Sequence, residues 1–193
     1  MLTPRFPGFL CQMVVACGVL LVGLSSALAQ VAVSTLAGSS PAIASGNVNA
    51  VGTAARFNEP ARIAVDNAGN IYVADTQNHT IRKVTAAGVV TTLAGSGIMG
   101  NANGTGAAAS FRAPRGVATD NANIYVADTS NHAIRQIVIS TGVVTTLAGT
   151  VGTSGTTNGT GVAARFNTPS DLAVSGTDLY VTAVTGSPRY RWL

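Results

Sequence analysis

Four polar side chains with catalytic or metal-binding potential lie close together in the sequence, and the whole set occurs twice. The first set is Asp75, Asn78, His79 and Arg82, and the second is Asp128, Asn131, His132 and Arg135. Histidine beside aspartate ligates divalent cations or acts as a general base. The same residue types also fasten turns, because Asp and Asn bond turn backbone and arginine pairs with aspartate.

Repetition favours the fastening role for these residues. The two sets lie in almost identical phrases, residues 70–82 and 123–135, whereas an active site on the axis of a ring of repeats needs different residues from different repeats. A third copy keeps Tyr180 and Val181 but has Ala183 in place of the aspartate. We therefore predict a structural turn set, with no catalytic residue, no metal site and no cofactor.

Other sources of chemistry are sparse. The Gly-rich segments 95–106 and 149–161 lack both the Lys-Ser/Thr that follows a phosphate loop and any carboxylate for calcium. A lactonase-type site requires acidic and polar groups that converge on one axis, and the candidates are few and scattered: Glu59, Asp171, Arg62 and Arg115. A formal charge of +4, with Arg82-Lys83 as the only adjacent basic pair, argues against a nucleic-acid partner.

The elements that carry these residues repeat every ~54 residues, as three independent anchors show. Leu-Ala-Gly begins at 36, 93 and 147, Phe-x-x-Pro at 57, 111 and 166, and Tyr-Val at 72, 125 and 180. Short apolar or alternating runs at 62–66, 71–74, 80–85 and 89–94 predict four strands per unit, joined by tight turns. We predict an all-β fold built from β-propeller blades of four antiparallel strands.

The repeat also predicts how the chain is divided. A signal peptide at 1–29 precedes a fourth strand of a preceding blade and a Gly-rich lead-in at 30–56, with that strand at 32–37. A blade at 57–95, a lead-in loop at 96–110, a blade at 111–149, a lead-in loop at 150–165, a partial blade at 166–183 and an irregular tail at 184–193 follow. Because propellers close with about four to eight blades, these 2.5 to 3 blades form an incomplete ring. The chain is then a fragment, or copies associate to complete the propeller, or an open arc remains.

The N-terminus has the pattern of an export signal. Arg5 precedes an apolar run at 9–24 and small residues at Ala27 and Ala29, which predicts cleavage after Ala29 and a secreted or periplasmic protein. Left uncleaved, the segment is long enough to be an N-terminal membrane anchor, and residues 14–17 resemble a lipoprotein box. Both cysteines lie inside this segment, so the mature chain would have no disulfide.

One phrase of the repeat carries a family resemblance. Pro60-x-x-Ile-Ala-Val-Asp-x-x-Gly-Asn-Ile-Tyr-Val-Ala-Asp-x-x-Asn-His-x-Ile-Arg-Lys-Val, followed by Gly-x-Val-x-Thr-Leu-Ala-Gly, resembles the NHL repeat in its long bacterial form. The resemblance implies a propeller, commonly of six blades. It does not imply one function, because the family includes protein-interaction modules, RNA-binding domains and a peptide-amidating lyase, and related propellers are lactonases.

We predict an exported binding scaffold that meets its partner through a loop face. In an antiparallel meander, the turn at 75–79 and the next lead-in lie at the same end of the blade, so we define the loop face by these residues: Asn101, Asn103, Thr105, Asn158, Thr160, Arg62 and Arg115. The expected partner is a protein, a cell-envelope component or an extracellular ligand. The alternatives are a lactonase- or lyase-like enzyme with a metal on the axis, and a truncated product without independent function.

Overall fold

The computed structural model describes residues 34–39 and 45–183 and the backbone of residues 190–192. The predicted signal peptide lies outside the described residues, and the chain divides after Ser34 into two units, of which the second, 35–193, is described below. This unit contains three antiparallel sheets. Their strands are β1 (Pro60–Val65), β2 (Ile71–Asp75), β3 (Thr80–Val84), β4 (Val90–Ala94), β5 (Gly104–Thr105), β6 (Pro114–Thr119), β7 (Asn123–Asp128), β8 (Ala133–Val138), β9 (Val143–Ala148), β10 (Pro169–Ser175), β11 (Asp178–Ala183) and β12 (Tyr190–Trp192).

The first blade is the four-stranded meander that the sequence predicts. Its order is β1-β2-β3-β4, and each strand pairs antiparallel with the next. The strand ends differ from the predicted ones by at most two residues. The predicted fold class, all-β with propeller-type blades, is confirmed.

The second blade has a fifth strand that the sequence analysis did not predict. Its order is β5-β9-β8-β7-β6, because Gly104 and Thr105 of the lead-in pair with Val144 and Val143 on the outer strand. A lead-in treated as loop thus covers an open edge, which would otherwise leave backbone groups unpaired. Two residues are too few for any alternation of apolar and polar positions, so the pattern could not reveal this strand.

The segment before the first blade keeps the geometry of the repeat without forming a strand. Of the fourth strand predicted at 32–37, residues 34–37 are described, and they form coil and bends. The Gly38 N–H still donates to the Gly52 carbonyl at 3.1 Å, as Gly95 does to Gly106 and Gly149 to Gly161. The Leu-Ala-Gly anchor therefore keeps its place beside the next lead-in, and a strand is absent because no described strand pairs with it.

The tail predicted to be irregular contributes a strand to the third sheet. The backbone of β12 pairs with β11, with Tyr190 opposite Val181 and Arg191 opposite Tyr180. Its register matches that of β3 and β8, in which Arg82 lies opposite Val73 and Arg135 opposite Val126. The sequence analysis missed β12 because it relied on the Asn-His-x-Ile-Arg phrase, which the third copy lacks, whereas pairing depends on backbone groups.

The hydrophobic core lies between consecutive blades. Tyr72, Ala74 and Ile81 of the first blade pack against a buried set from the second: Ala109, Phe111, Val117, Ile124, Val126, Ile137 and Val144. A second cluster joins the second blade to the third sheet in the same way. Ile63 of β1 is 61% exposed while its counterpart Val117 of β6 is 4% exposed, because only Val117 has a neighbouring blade to pack on. Burying such a side chain stabilises the fold by about 1.5–3 kcal/mol.

Each of the first two blades also contains a tyrosine, Tyr72 buried and Tyr125 partly buried, whose hydroxyl bonds an aspartate of the β1–β2 or β6–β7 turn. The Tyr72 hydroxyl donates to Asp66 Oδ2 at 2.9 Å, and the Tyr125 hydroxyl donates to Asp120 Oδ2 at 2.8 Å. Burial and the carboxylate acceptor raise the pKa of both tyrosines to about 12. Burial alone would raise the pKa of Asp66, but hydrogen bonds from Asn70, Tyr72 and the backbone lower it.

These pairs predict a loss of stability in alkali. Because the pKa of each tyrosine rises from 10.0 to about 12 on folding, its contribution is present below pH 10 and is lost as the pH rises to 12. The loss is at most about 2–3 kcal/mol per tyrosine. Urea unfolding over this pH range should show the decline, and the Y72F/Y125F variant should show a shallower one. An equally steep decline in that variant would contradict the assignment.

Candidate functional site

The two repeated polar sets are built around a buried ion pair. Arg82 Nη1 lies 2.7 Å from Asp75 Oδ2, and Arg135 Nη1 lies 2.9 Å from Asp128 Oδ2. All four side chains have no exposed surface. Burial raises the pKa of Asp128, and donors from Asn131, Arg112 and Arg135 oppose that rise. The carboxylate therefore depends on its partners to remain ionised.

Each arginine ties its own lead-in to the blade. The Arg82 guanidinium donates to the carbonyls of Arg56 and Val48 and to Asn49 Oδ1, at 3.2, 3.1 and 2.7 Å. Its Nε has no hydrogen-bond partner among the described residues, and the guanidinium carbon lies 5.1 Å from the centre of the Phe57 ring. Arg135 makes the corresponding bonds to Ser110, Ala102 and Asn103, above the Phe111 ring.

The aspartate and asparagine complete the same attachment. Asp75 Oδ1 accepts from the Asn58 N–H at 2.7 Å, and Asn78 Nδ2 donates to both Asp75 Oδ2 and the Gly46 carbonyl at 2.8 Å. These contacts bring the β2–β3 turn together with the lead-in that precedes the blade. We retain the structural interpretation of the set. Its side chains hold the lead-in as well as the turn.

The histidines join one blade to the next. His79 and His132 both have left-handed backbones, with φ of 55° and 56°. His79 Nδ1 accepts from the Ala113 N–H at 3.2 Å, and His132 Nδ1 accepts from the Thr168 N–H at 3.1 Å. Each Nδ1 thus accepts from the backbone N–H of the residue just before the first strand of the following blade. Because Nδ1 accepts a hydrogen bond, it is not a metal ligand here.

Replacing His79 should separate the role of its side chain from that of its backbone. Gly accepts the left-handed conformation but removes the acceptor, so H79G should lower the free energy of unfolding by about 1–3 kcal/mol, since the Ala113 N–H loses its partner. Asn also tolerates this conformation and offers Oδ1 near the position of Nδ1, so H79N should lose less. Urea unfolding measures both. Equal losses in the two variants would show that the hydrogen bond is not what matters.

A cleft of about 450 Å³ lies between the first two blades, at the end that carries the turns. It is lined by Glu59, Pro60, Ala61, Thr76, Gln77, Ala113, Arg115, Thr129 and Ser130. Gln77 Nε2 donates to Glu59 Oε2 at 3.2 Å, whereas the Arg115 guanidinium bonds no residue within the described ranges. Arg115 is exposed, so the cleft, which Ser130 also lines, presents a cation without a partner among the described residues.

The structure does not gather the predicted loop-face residues into one site. Arg115 lines the cleft, but Arg62 forms an exposed 3.1 Å ion pair with Asp171, and Asn103 accepts from Arg135. Thr105 belongs to β5, and the remaining three, Asn101, Asn158 and Thr160, are exposed on the lead-ins. Of the lactonase-type candidates, Glu59 and Arg115 share the cleft.

Gln77 and Ser130 are among the cleft residues that the sequence analysis missed. They occupy the same place in the repeat, between Asp-Thr and Asn-His, and this place differs between two otherwise almost identical phrases. A position that varies inside an otherwise constant phrase could therefore have indicated these cleft residues. Both residues lie in 3₁₀ turns, Thr76–Asn78 and Thr129–Asn131, which hold them at the cleft.

Two features are absent from the described ranges. Three or more His, Cys, Asp or Glu side chains grouped closely enough to hold a metal ion do not occur there. A helix long and apolar enough to cross a membrane is likewise not found in that part of the chain.

Comparison with known proteins supports the repeat assignment. Residues 57–84 and 111–137 match the NHL repeat family. NHL repeat-containing protein 2 from Bos taurus is 41% identical over 98 residues, which is 50% of this chain and 13% of that protein. The same protein from Gallus gallus is 40% identical over 91 residues, which is 47% of this chain and 12% of that protein. The chain thus spans about an eighth of the length of these relatives.

Comparison with solved structures supports the propeller-type fold. An auxiliary nutrient binding protein from Bacteroides thetaiotaomicron is 25% identical with a TM-score of 0.55, over 62% of this chain and 33% of that one. An auxiliary nutrient binding protein from Bacteroides ovatus is 21% identical with a TM-score of 0.57, over 68% and 36%. The three sheets therefore correspond to part of a β-propeller.

Proposed function

We propose that this NHL-repeat chain is a binding scaffold, and that the cleft between its first two blades is where it contacts a ligand. The observation that carries the proposal is Arg115, an exposed guanidinium at a cleft, without a hydrogen-bond partner among the described residues. Three other arginines, Arg62, Arg82 and Arg135, are paired with aspartates. An unpaired guanidinium in a cleft that Ser130 also lines favours a carboxylate on the ligand.

The architecture supports binding through this region. The lead-ins, the turns and the cleft share one end of the blades, and the buried ion pairs hold that end in place. Binding surfaces on rigid scaffolds commonly lie on such loops. The similarity to an auxiliary nutrient binding protein is in keeping with a ligand-binding role. The partner is an extracellular or cell-envelope component, or a protein that presents a carboxylate.

Calorimetric titration tests the carboxylate requirement with two sources of that group. The probes are short peptides with a free or an amidated C-terminus, and oligosaccharides of a uronic acid or of the neutral sugar. We expect binding of a carboxylate-bearing probe and no binding of its neutral match. R115Q should weaken the binding about tenfold or more, since a charge-assisted hydrogen bond is lost.

R112Q is the matched control. Arg112 is exposed three residues away, does not line the cleft, and carries the same charge. The R112Q variant should bind as the original chain does. Equal weakening in both variants would indicate general attraction to positive charge and would overturn the proposed site.

We further propose that the scaffold is exported, on the pattern of Arg5, the apolar run and Ala27-x-Ala29, and bacterial, on the resemblance of its repeat to the long bacterial form. N-terminal sequencing of the protein from its native host should begin at Gln30. A sequence that begins at the original methionine would contradict cleavage.

A further inference from the structure

Two lead-ins contain the same four residues, Asn-Gly-Thr-Gly, at 103–106 and at 158–161. Asparagine before glycine is chemically labile, because the glycine has no side chain to hinder its backbone nitrogen from attacking the asparagine amide. The two sites have the same local sequence, so any difference in their reactivity must come from the folded structure.

The fold restrains the first site. Asn103 Oδ1 accepts from Arg135 Nη2 at 2.7 Å and from the Thr146 hydroxyl at 3.4 Å. Gly104 and Thr105 form β5 and pair with β9. The side-chain amide and the backbone that must approach it are both held, so ring closure requires a charge-assisted hydrogen bond to break first.

The second site lacks these restraints. Asn158 is exposed and makes no side-chain hydrogen bond to any residue that the structure describes, and residues 153–159 form no strand. The register explains the missing partner, since the place of Arg82 and Arg135 on the third strand is taken by Tyr190. Asn49 and Asn103 each accept from an arginine of their own blade, and the third blade has none at that position.

We propose that Asn158-Gly159 is a site of spontaneous deamidation, which the fold leaves exposed while it protects Asn103-Gly104. The Gly159 backbone nitrogen attacks Asn158 Cγ and forms a C–N bond. The side-chain nitrogen leaves as ammonia with the proton from the backbone nitrogen, which gives a succinimide. Water then opens either carbonyl of the ring to yield aspartate or isoaspartate. The step involves no redox change and needs only water, and it places a carboxylate on the third lead-in.

The test compares both sites within one molecule. The purified chain is incubated in mildly alkaline buffer, digested, and analysed by peptide mass spectrometry for conversion of amide to acid at each asparagine. We expect Asn158 to react about tenfold faster than Asn103 or more, because one charged hydrogen bond restrains only Asn103. In denaturant the two rates should become nearly equal.

Two results would contradict preferential deamidation at Asn158. Equal rates at both sites in the folded chain would overturn it, as would a folded Asn158 that reacts far more slowly than the denatured one. The N158Q variant should abolish the modified peptide from the third lead-in without altering the rate at Asn103.

Discussion

Replacing Arg135 with methionine should lower the free energy of unfolding by about 3–5 kcal/mol, because Asp128 would remain as an uncompensated buried carboxylate. Arg135 and Asp128 are both fully buried, and the arginine also holds the lead-in through Ala102 and Asn103. Burial already raises the pKa of Asp128, and removing the cation raises it further. The variant should therefore be least stable at neutral pH and should recover stability as Asp128 is protonated at lower pH.

Urea unfolding of R135M against R112M provides the comparison. Arg112 is exposed, so R112M should change the stability by less than about 0.5 kcal/mol. The double variant D128L/R135M should recover part of the loss, since a buried pair replaced by apolar residues is often tolerated. A loss below about 1 kcal/mol in R135M would show that the pair does not hold the second blade together.

Replacing Gly116 with alanine should destabilise the packing of the second blade on the third sheet by about 1–3 kcal/mol or more, through overpacking. A Cβ at Gly116 would lie 2.8 Å from Asp171 Cα and 3.1 Å from Ala127 Cβ. The Asp171 atom belongs to backbone, so a rotamer change cannot relieve the clash. The strands β6 and β10 would have to separate, which should also loosen the Arg62–Asp171 pair that links the first blade to the third sheet.

The matched control places alanine at the same register position of the first blade. R62A removes only a half-exposed ion pair, so it should cost about 1 kcal/mol or less. Urea unfolding of both variants, with near-ultraviolet circular dichroism for the tyrosine environment, measures the difference. If G116A were as stable as the original chain, strands β6 and β10 would be able to separate without loss of stability.

The strand pattern of the first two blades could be predicted because each strand carries its own local evidence. Alternation or short apolar runs mark β1 to β4, and turn-forming residues such as Asp66, Asn67 and Gly69 bound them. Strands β5 and β12 could not be predicted. The first has two residues, and the second is defined by backbone pairing with β11 rather than by a repeated phrase.

The candidate site was likewise predictable from the sequence only in part. Repetition alone assigned the Asp75 and Asp128 sets to structure rather than catalysis, but it gave no means to see that Arg82 reaches the lead-in or that His79 reaches the next blade. Those partners are 34 residues away in each case, and such contacts form only when the blades stack.

By itself, the sequence determined that this chain is a series of repeated antiparallel blades, because the repeat period and the strand alternation are local properties present in each complete copy. Only the tertiary structure decided which polar groups remain free. Arg62 and Arg115 look alike in sequence, yet one is paired with Asp171 and the other faces a cleft. Asn103 and Asn158 have the same neighbours, yet only Asn103 has an arginine to bind. The physical reason is that the pairing of a side chain depends on what the neighbouring strand or blade presents to it.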